Sequence, residues 1–100
     1  MPRNNTIYIS GPISGTKDYI ERFHAADKLL SSLGFRVVNP AKMNANMPKK
    51  TSYKTYIDLS IEMLKSCRQI YMLKGWEQSK GARAELALAE CYNLIILYEE

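Results

Sequence analysis

The sequence predicts an α/β domain: an open parallel four-stranded sheet, order 2-1-3-4, with helices on both faces, in the manner of flavodoxin or Rossmann folds. Three observations predict it. Strand-like apolar runs alternate with helical patterns along the whole chain, which implies parallel pairing through right-handed crossovers. The runs IYI, VV, IYML and LIILY are continuously apolar rather than alternating, as strands covered on both faces are. The two most glycine-marked loops, GPISG and KGWEQSKG, follow the first and third strands, whose ends flank the switch point of such a sheet.

Taken in order, residues 6–10 (TIYIS) form a β-rich run that ends at the turn signal GPISG. A helix is expected over 17–33, with Ile20, Phe23, Leu30 and Leu33 at helical spacing and Ala25 and Ala26 between them. Ser14 or Thr16 can cap its start, Asp18 and Glu21 suit its first turn, and Gly34 fits just past its end. Residues 35–39 (FRVVN) read as the second strand, stopped by Pro40. The stretch 41–51 lacks periodicity and reads as a loop, of the length that often serves as a lid or binding loop. A second long helix is expected over 52–66, its apolar side made by Tyr53, Tyr56, Ile57, Met63, Leu64 and Cys67, with Ser60 on or near it. The third strand spans 69–73. The last helix spans 80–91, with Ala82, Leu86 and Ala89 inward, and 94–98 closes the chain as a strand.

One hundred residues make one domain with a single core, here 1–100. Hydrophobic content of 46% and charged content of 24% are ordinary for a globular protein. The net charge of +4 is scattered, and Lys49–Lys50 is the only adjacent basic pair, so nothing supports a nucleic-acid partner. A mild positive field suits a small anion as well. Cys67 and Cys91 read as small buried hydrophobes in a reducing, cytoplasmic setting, since no second ligand motif accompanies them and His24 stands alone. No metal or cofactor is therefore expected. MPRNNT leads straight into a strand without a signal-peptide pattern, and no apolar run is long enough to span a membrane.

The chemistry-bearing stretch is YMLKGWEQSKGARAE, residues 71–85. A strand breaks at Gly75 and a helix restarts near Ser79, offering unpaired N–H groups and a positive dipole end. Glu85, about one turn inside, is expected to be held as the anion. Trp76 adds a flat apolar face, although it equally suits a loop anchor at the domain edge. A carboxylate, a ring and a row of N–H donors together suit a nucleotide with a reactive sugar carbon. Alone, Glu85 would read as a carboxylate that merely offsets the helix dipole.

With YISGPISG, CRQIYML and GWEQSKGARAE in view, the chain resembles the nucleoside 2-deoxyribosyltransferase superfamily, in particular its short bacterial and phage branch. The resemblance covers nearly the whole chain, and GWEQSKGARAE is its most specific part. It implies chemistry at the N-glycosidic bond of a nucleoside or nucleoside monophosphate, by deoxyribosyl transfer or hydrolysis. By match to the motif, Glu85 is the nucleophile, in a double displacement like that of retaining glycosidases. Ser79 and Gly81 match residues that contact the sugar or its 5′ substituent. Tyr8 and Gly11 match residues lining the base and sugar pocket, and Ile13, Ser14 and Gly15 match the turn that meets phosphate. A homo-oligomer is expected, with Tyr53 and Tyr56 suited to an interface.

The chain departs from the pattern at two positions, where relatives carry aspartates and it carries Ser60 and Arg68. A serine hydroxyl cannot replace an aspartate as an acid toward the base. Asp58 does not substitute, because two residues along a helix turn roughly 200° away. Three classes of function stay open on the sequence: an enzyme of the glycosidic bond, a nucleotide-binding or sequestering protein with little turnover, and a small interaction module.

Overall fold

A computed structural model of the chain describes residues 5–13, 15–45 and 52–100, with backbone alone at 43–45 and 53. Its elements run β1 (Thr6–Ser10), α1 (Tyr19–Ser32), β2 (Arg36–Val38), α2 (Pro40–Ala45), α3 (Tyr53–Lys65), β3 (Gln69–Met72), a 3₁₀ turn (Trp76–Gln78), α4 (Lys80–Cys91) and β4 (Ile95–Tyr98). The four strands form one parallel sheet in the order β2-β1-β3-β4. The expected fold class and strand order hold. No helix among the described residues is long and apolar enough to cross a membrane.

The period of two along β1 divides the interior into two cores. Ile7 and Ile9 face α1 and α2, where they pack with Phe23, Ala26, Leu30, Ala41 and Leu73. Tyr8 faces α3 and α4, with Leu64, Cys67, Ile70, Met72, Ala82 and Ala89. Ser10, two residues beyond Tyr8, is on that second face as well. Burying the large side chains of each cluster stabilises by about 1.5–3 kcal/mol apiece.

The inner strands β1 and β3 are buried, whereas the edges β2 and β4 are half-open. LIILY therefore departs from expectation: Ile95 and Tyr98 are exposed although the run is continuously apolar. An outermost strand has one flank without a neighbour, and apolarity alone cannot distinguish it from an inner one. Cys91 is likewise exposed rather than buried, at the last position of α4, while Cys67 is buried as expected.

Helix α1 is shorter than 17–33 and buries Phe23, Ala26 and Leu30. Ile20 and Leu33 lie outside that stripe and are 50% and 65% exposed. Asp18, not Ser14 or Thr16, holds the N-cap position, and it makes no side-chain cap bond. The Thr16 hydroxyl is used one turn earlier, donating to the Ile13 carbonyl at 2.9 Å; Ser14 lies outside the described residues. Gly34 follows the helix at φ +97°, as a residue without Cβ can.

The expected loop over 41–51 begins instead as α2. Pro40 ends the preceding strand and also opens this helix, because its missing N–H and fixed φ suit a first helical turn. Asn39 completes the start: its Oδ1 accepts the Ala41 N–H at 3.0 Å, and its Nδ2 donates to Asp27 Oδ2 at 3.0 Å. The remainder of that expected loop, 46–51, lies outside the described residues. Helix α3 is capped by Ser52, whose Oγ accepts the Thr55 N–H at 3.2 Å.

Candidate active site

The site is built where β1 and β3 end. Beyond Ser10 the chain passes so close to Leu73 that a Cβ at Gly11 would lie 2.8 Å from the Leu73 Cβ. Glycine is thus required there by packing, although its φ is not positive. Across the sheet, Gly75 takes φ +90° and turns β3 into the 3₁₀ segment. Ser79 then caps α4, its Oγ accepting the Ala82 N–H at 3.1 Å. Six positions into α4, Glu85 comes down over the end of β1.

There two hydroxyls meet it. The Tyr8 phenol donates to Glu85 Oε2 at 2.6 Å, and the Ser10 hydroxyl donates to Oε1 at 2.6 Å. Ser60 of α3 is close to both groups, and its hydroxyl favours the charged form of each. Bonds of 2.5–2.7 Å are those of an O–H donating to a charged oxygen. Tyr8 is fully buried and Ser10 nearly so, while Glu85 and Ser60 are partly buried.

Burial raises the Glu85 carboxyl above its ordinary value, opposed by the Ser10, Tyr8 and Ser60 hydroxyls. The expectation that a helix end keeps Glu85 anionic is corrected in its cause. Glu85 is beyond the first turn, where the dipole fades, and burial works against the charge. The hydroxyls, not the dipole, support the anion. Burial first, and the Glu85 charge second, push the Tyr8 phenol well above its ordinary value, so it remains a donor.

Glu85 lines a pocket of about 680 Å³. Gly11 and Ile13 contribute from the loop after β1, and Tyr19 from the first position of α1. Tyr56, Ile57 and Ser60 contribute from one side of α3, and Gln78 to Ala82 from the start of α4. Of the expected site residues, Glu85, Gly11, Ile13, Ser60, Ser79 and Gly81 therefore meet in one place. Tyr8 is beneath rather than in the pocket, touching its carboxylate. Gly15, exposed at φ +80°, is not part of the lining, and Ser14 lies outside the described residues.

Trp76 is the clear correction. It faces a separate hollow of about 330 Å³ and packs on Tyr98, with ring centroids 6.1 Å apart. Two residues along a 3₁₀ turn are about 240° apart, so the turn that sends Gln78 into the pocket sends Trp76 toward β4. Of the two roles open to it on the sequence, loop anchor is the one the geometry supports. Among the described residues, the aromatic side chains that line the pocket are Tyr19 and Tyr56.

Several of these residues escaped the sequence reading. Ser10 could have been found from its place two residues after Tyr8 on one strand face. Tyr56 and Ile57 stand four and three residues before Ser60, hence on its side of the helix. Lys80, which reads as solvated, is the lone cation among the described lining residues. No group of three potential ligands that could hold a metal occurs among the described residues.

Fold and site together define an open α/β domain with a carboxylate-bearing pocket at the switch point of its sheet. The chain belongs to the family described as a domain of unknown function, DUF4406, which matches it over residues 5–98. No curated protein matches the chain.

Proposed function

We propose that the chain acts on the N-glycosidic bond of a 2-deoxynucleoside or its 5′-monophosphate, with Glu85 as nucleophile, as members of the nucleoside 2-deoxyribosyltransferase superfamily do. The observation that carries this reading is the Glu85 carboxylate, fixed by Tyr8 and Ser10 yet open to a pocket large enough for a nucleotide. A Glu85 oxygen lone pair forms a bond to the anomeric carbon as the C–N bond breaks, and its electrons leave with the base. Water, or a second base, then attacks the same carbon and gives up a proton that the released base takes up, the bond from the Glu85 oxygen to that carbon breaks, and the carboxylate is regenerated. Tyr19 and Tyr56 offer faces for the base, and Lys80 with Ser79 and Gly81 suits an anionic 5′ substituent. A homo-oligomer, with α3 near the interface, and a reducing cytoplasmic setting for the free cysteines accompany the proposal; light scattering tests the former.

One observation favours a second reading, that of a nucleotide-binding protein with little turnover. Glu85 is the sole carboxyl group among the described residues that line the pocket. Among those residues no second carboxyl group is in place to protonate a departing base.

The test is chromatographic detection of free base from each deoxynucleoside and deoxynucleotide, with wild type and Glu85→Ala. Base release that Glu85→Ala abolishes supports the enzyme; release that survives it rules Glu85 out. Ligand-dependent melting shifts without base release support the second reading.

A further inference from the structure

We infer that Ser10 is a positioning residue for Glu85, fixing the carboxylate oxygen that Tyr8 does not touch. The last residue of β1, Ser10 is 1% exposed and donates to Oε1, while Tyr8 donates to Oε2, each at 2.6 Å. A carboxylate held at one oxygen can still turn about the bond to its chain; held at both, it cannot. The strand supplies this arrangement through its period. Tyr8 and Ser10 share a face roughly 7 Å apart, and a long side chain from the farther position meets a short one from the nearer. The two hydroxyls thereby converge on one group. A side chain without a donor at position 10 would leave Oε1 in place with its nearest partner gone.

The titratable groups around the carboxylate are Tyr8 from β1, Tyr19 from α1, Tyr56 from α3 and Lys80 from α4, with Cys67 behind Tyr8. None of them is a carboxyl group, so a carboxyl titration belongs to Glu85 or to acids elsewhere in the chain. Only the kinetic part of the inference rests on the proposed role of Glu85 as the reacting group; the titration is independent of it.

The experiment is a pH titration of glutamate side-chain carboxyls by carbon NMR, with the Glu85 signal assigned by its disappearance in Glu85→Gln. In Ser10→Ala the Glu85 midpoint should move to higher pH, because the lost donor favours the charged form. Ser10→Cys, close in volume but a weak donor, should move it the same way. Unchanged midpoints in both variants, with circular dichroism unchanged, would overturn the inference. So would a Ser10→Cys variant that titrates as wild type, since filling the space would then suffice. Where wild type releases base, Ser10→Ala should lower kcat roughly ten- to hundredfold, with KM little changed. A loss confined to KM would overturn the positioning role. If wild type releases no base, the glycosidic reading fails, and the titration decides the role of Ser10 alone.

Discussion

Replacing Ser60 by aspartate tests the proposed chemistry where it is weakest. Ser60 lines the pocket beside Glu85 and acts on both Glu85 and Tyr8, so Ser60→Asp would place a carboxyl group near the carboxylate of Glu85. Two like charges about 4 Å apart repel by ~4 kcal/mol at an effective dielectric constant of about 20. The pair escapes most of that repulsion by keeping one proton between its two members, and it then titrates as a unit. A proton held in this way toward neutral pH is what a departing base requires, and general acid catalysis contributes roughly 10²–10⁴ in rate. Ser60→Asp should therefore raise base release by a factor in that range, with a bell-shaped pH dependence that wild type lacks. The assay is chromatographic release of base across pH 4–9 (about the span in which carboxyl pairs titrate), run beside wild type. A folded variant that binds nucleotide and releases base no faster than wild type would refute the reasoning and favour sequestration.

Glu85→Gln should melt above wild type at neutral pH, with the difference shrinking as pH falls into the ordinary carboxylate range. Burial raises the folded value of Glu85 above the unfolded one, so the stability tied to its proton is full below the unfolded value and lost as pH rises through the folded value. Calorimetry over that range checks it, and a Gln variant that melts lower at neutral pH would contradict it. A thiol reagent applied to the native protein at mildly alkaline pH should modify exposed Cys91 and spare Cys67, which is buried with its thiol pushed up to about 11. Peptide mass spectrometry reads the outcome, and rapid labelling of Cys67 would count against the packing described.

The parts of the fold that were legible depend on patterns within one segment. Strand–helix alternation joins such patterns along the chain, and it carried the parallel pairing. The bounds of α4 were legible because Gly75, Ser79 and the spacing of Ala82 and Ala89 mark them locally. What was not legible depends on a distant or very short feature. The burial that raises Glu85 comes with Tyr8 and Ser10, more than seventy residues away, whereas its distance from a helix start can be counted in the sequence. The direction of Trp76 was set by a three-residue 3₁₀ turn, too short to leave a periodic signal. Pro40 has two local meanings, strand stop and helix start, and the sequence reading used only the first. Ser10 shares a strand face with Tyr8, which the sequence shows, but the partner that gives it a role is Glu85, 75 residues away.

The site separates rigid parts from variable ones. Tyr8 and Ser10 belong to β1, which has a paired strand on each side and buried residues along its length. Glu85 is fixed to the same sheet by α4, whose first turn Ser79 closes. Glu85 is thus held by inner-strand hydroxyls and a capped helix, the kind of support that keeps a side chain within a fraction of an ångström. The ring faces come from elsewhere: Tyr19 opens α1 and Tyr56 is in the first turn of α3, both beside the chain's loops. Substitutions there can change which ligand fits without moving the carboxylate. Among the described lining residues Ser60 belongs to both groups, since it stands on the same side of α3 as Tyr56 and lies beside Glu85. A change at Ser60 is therefore expected to alter ligand fit and carboxylate charge together, which makes it the position where the two proposed readings, turnover and binding, are best told apart.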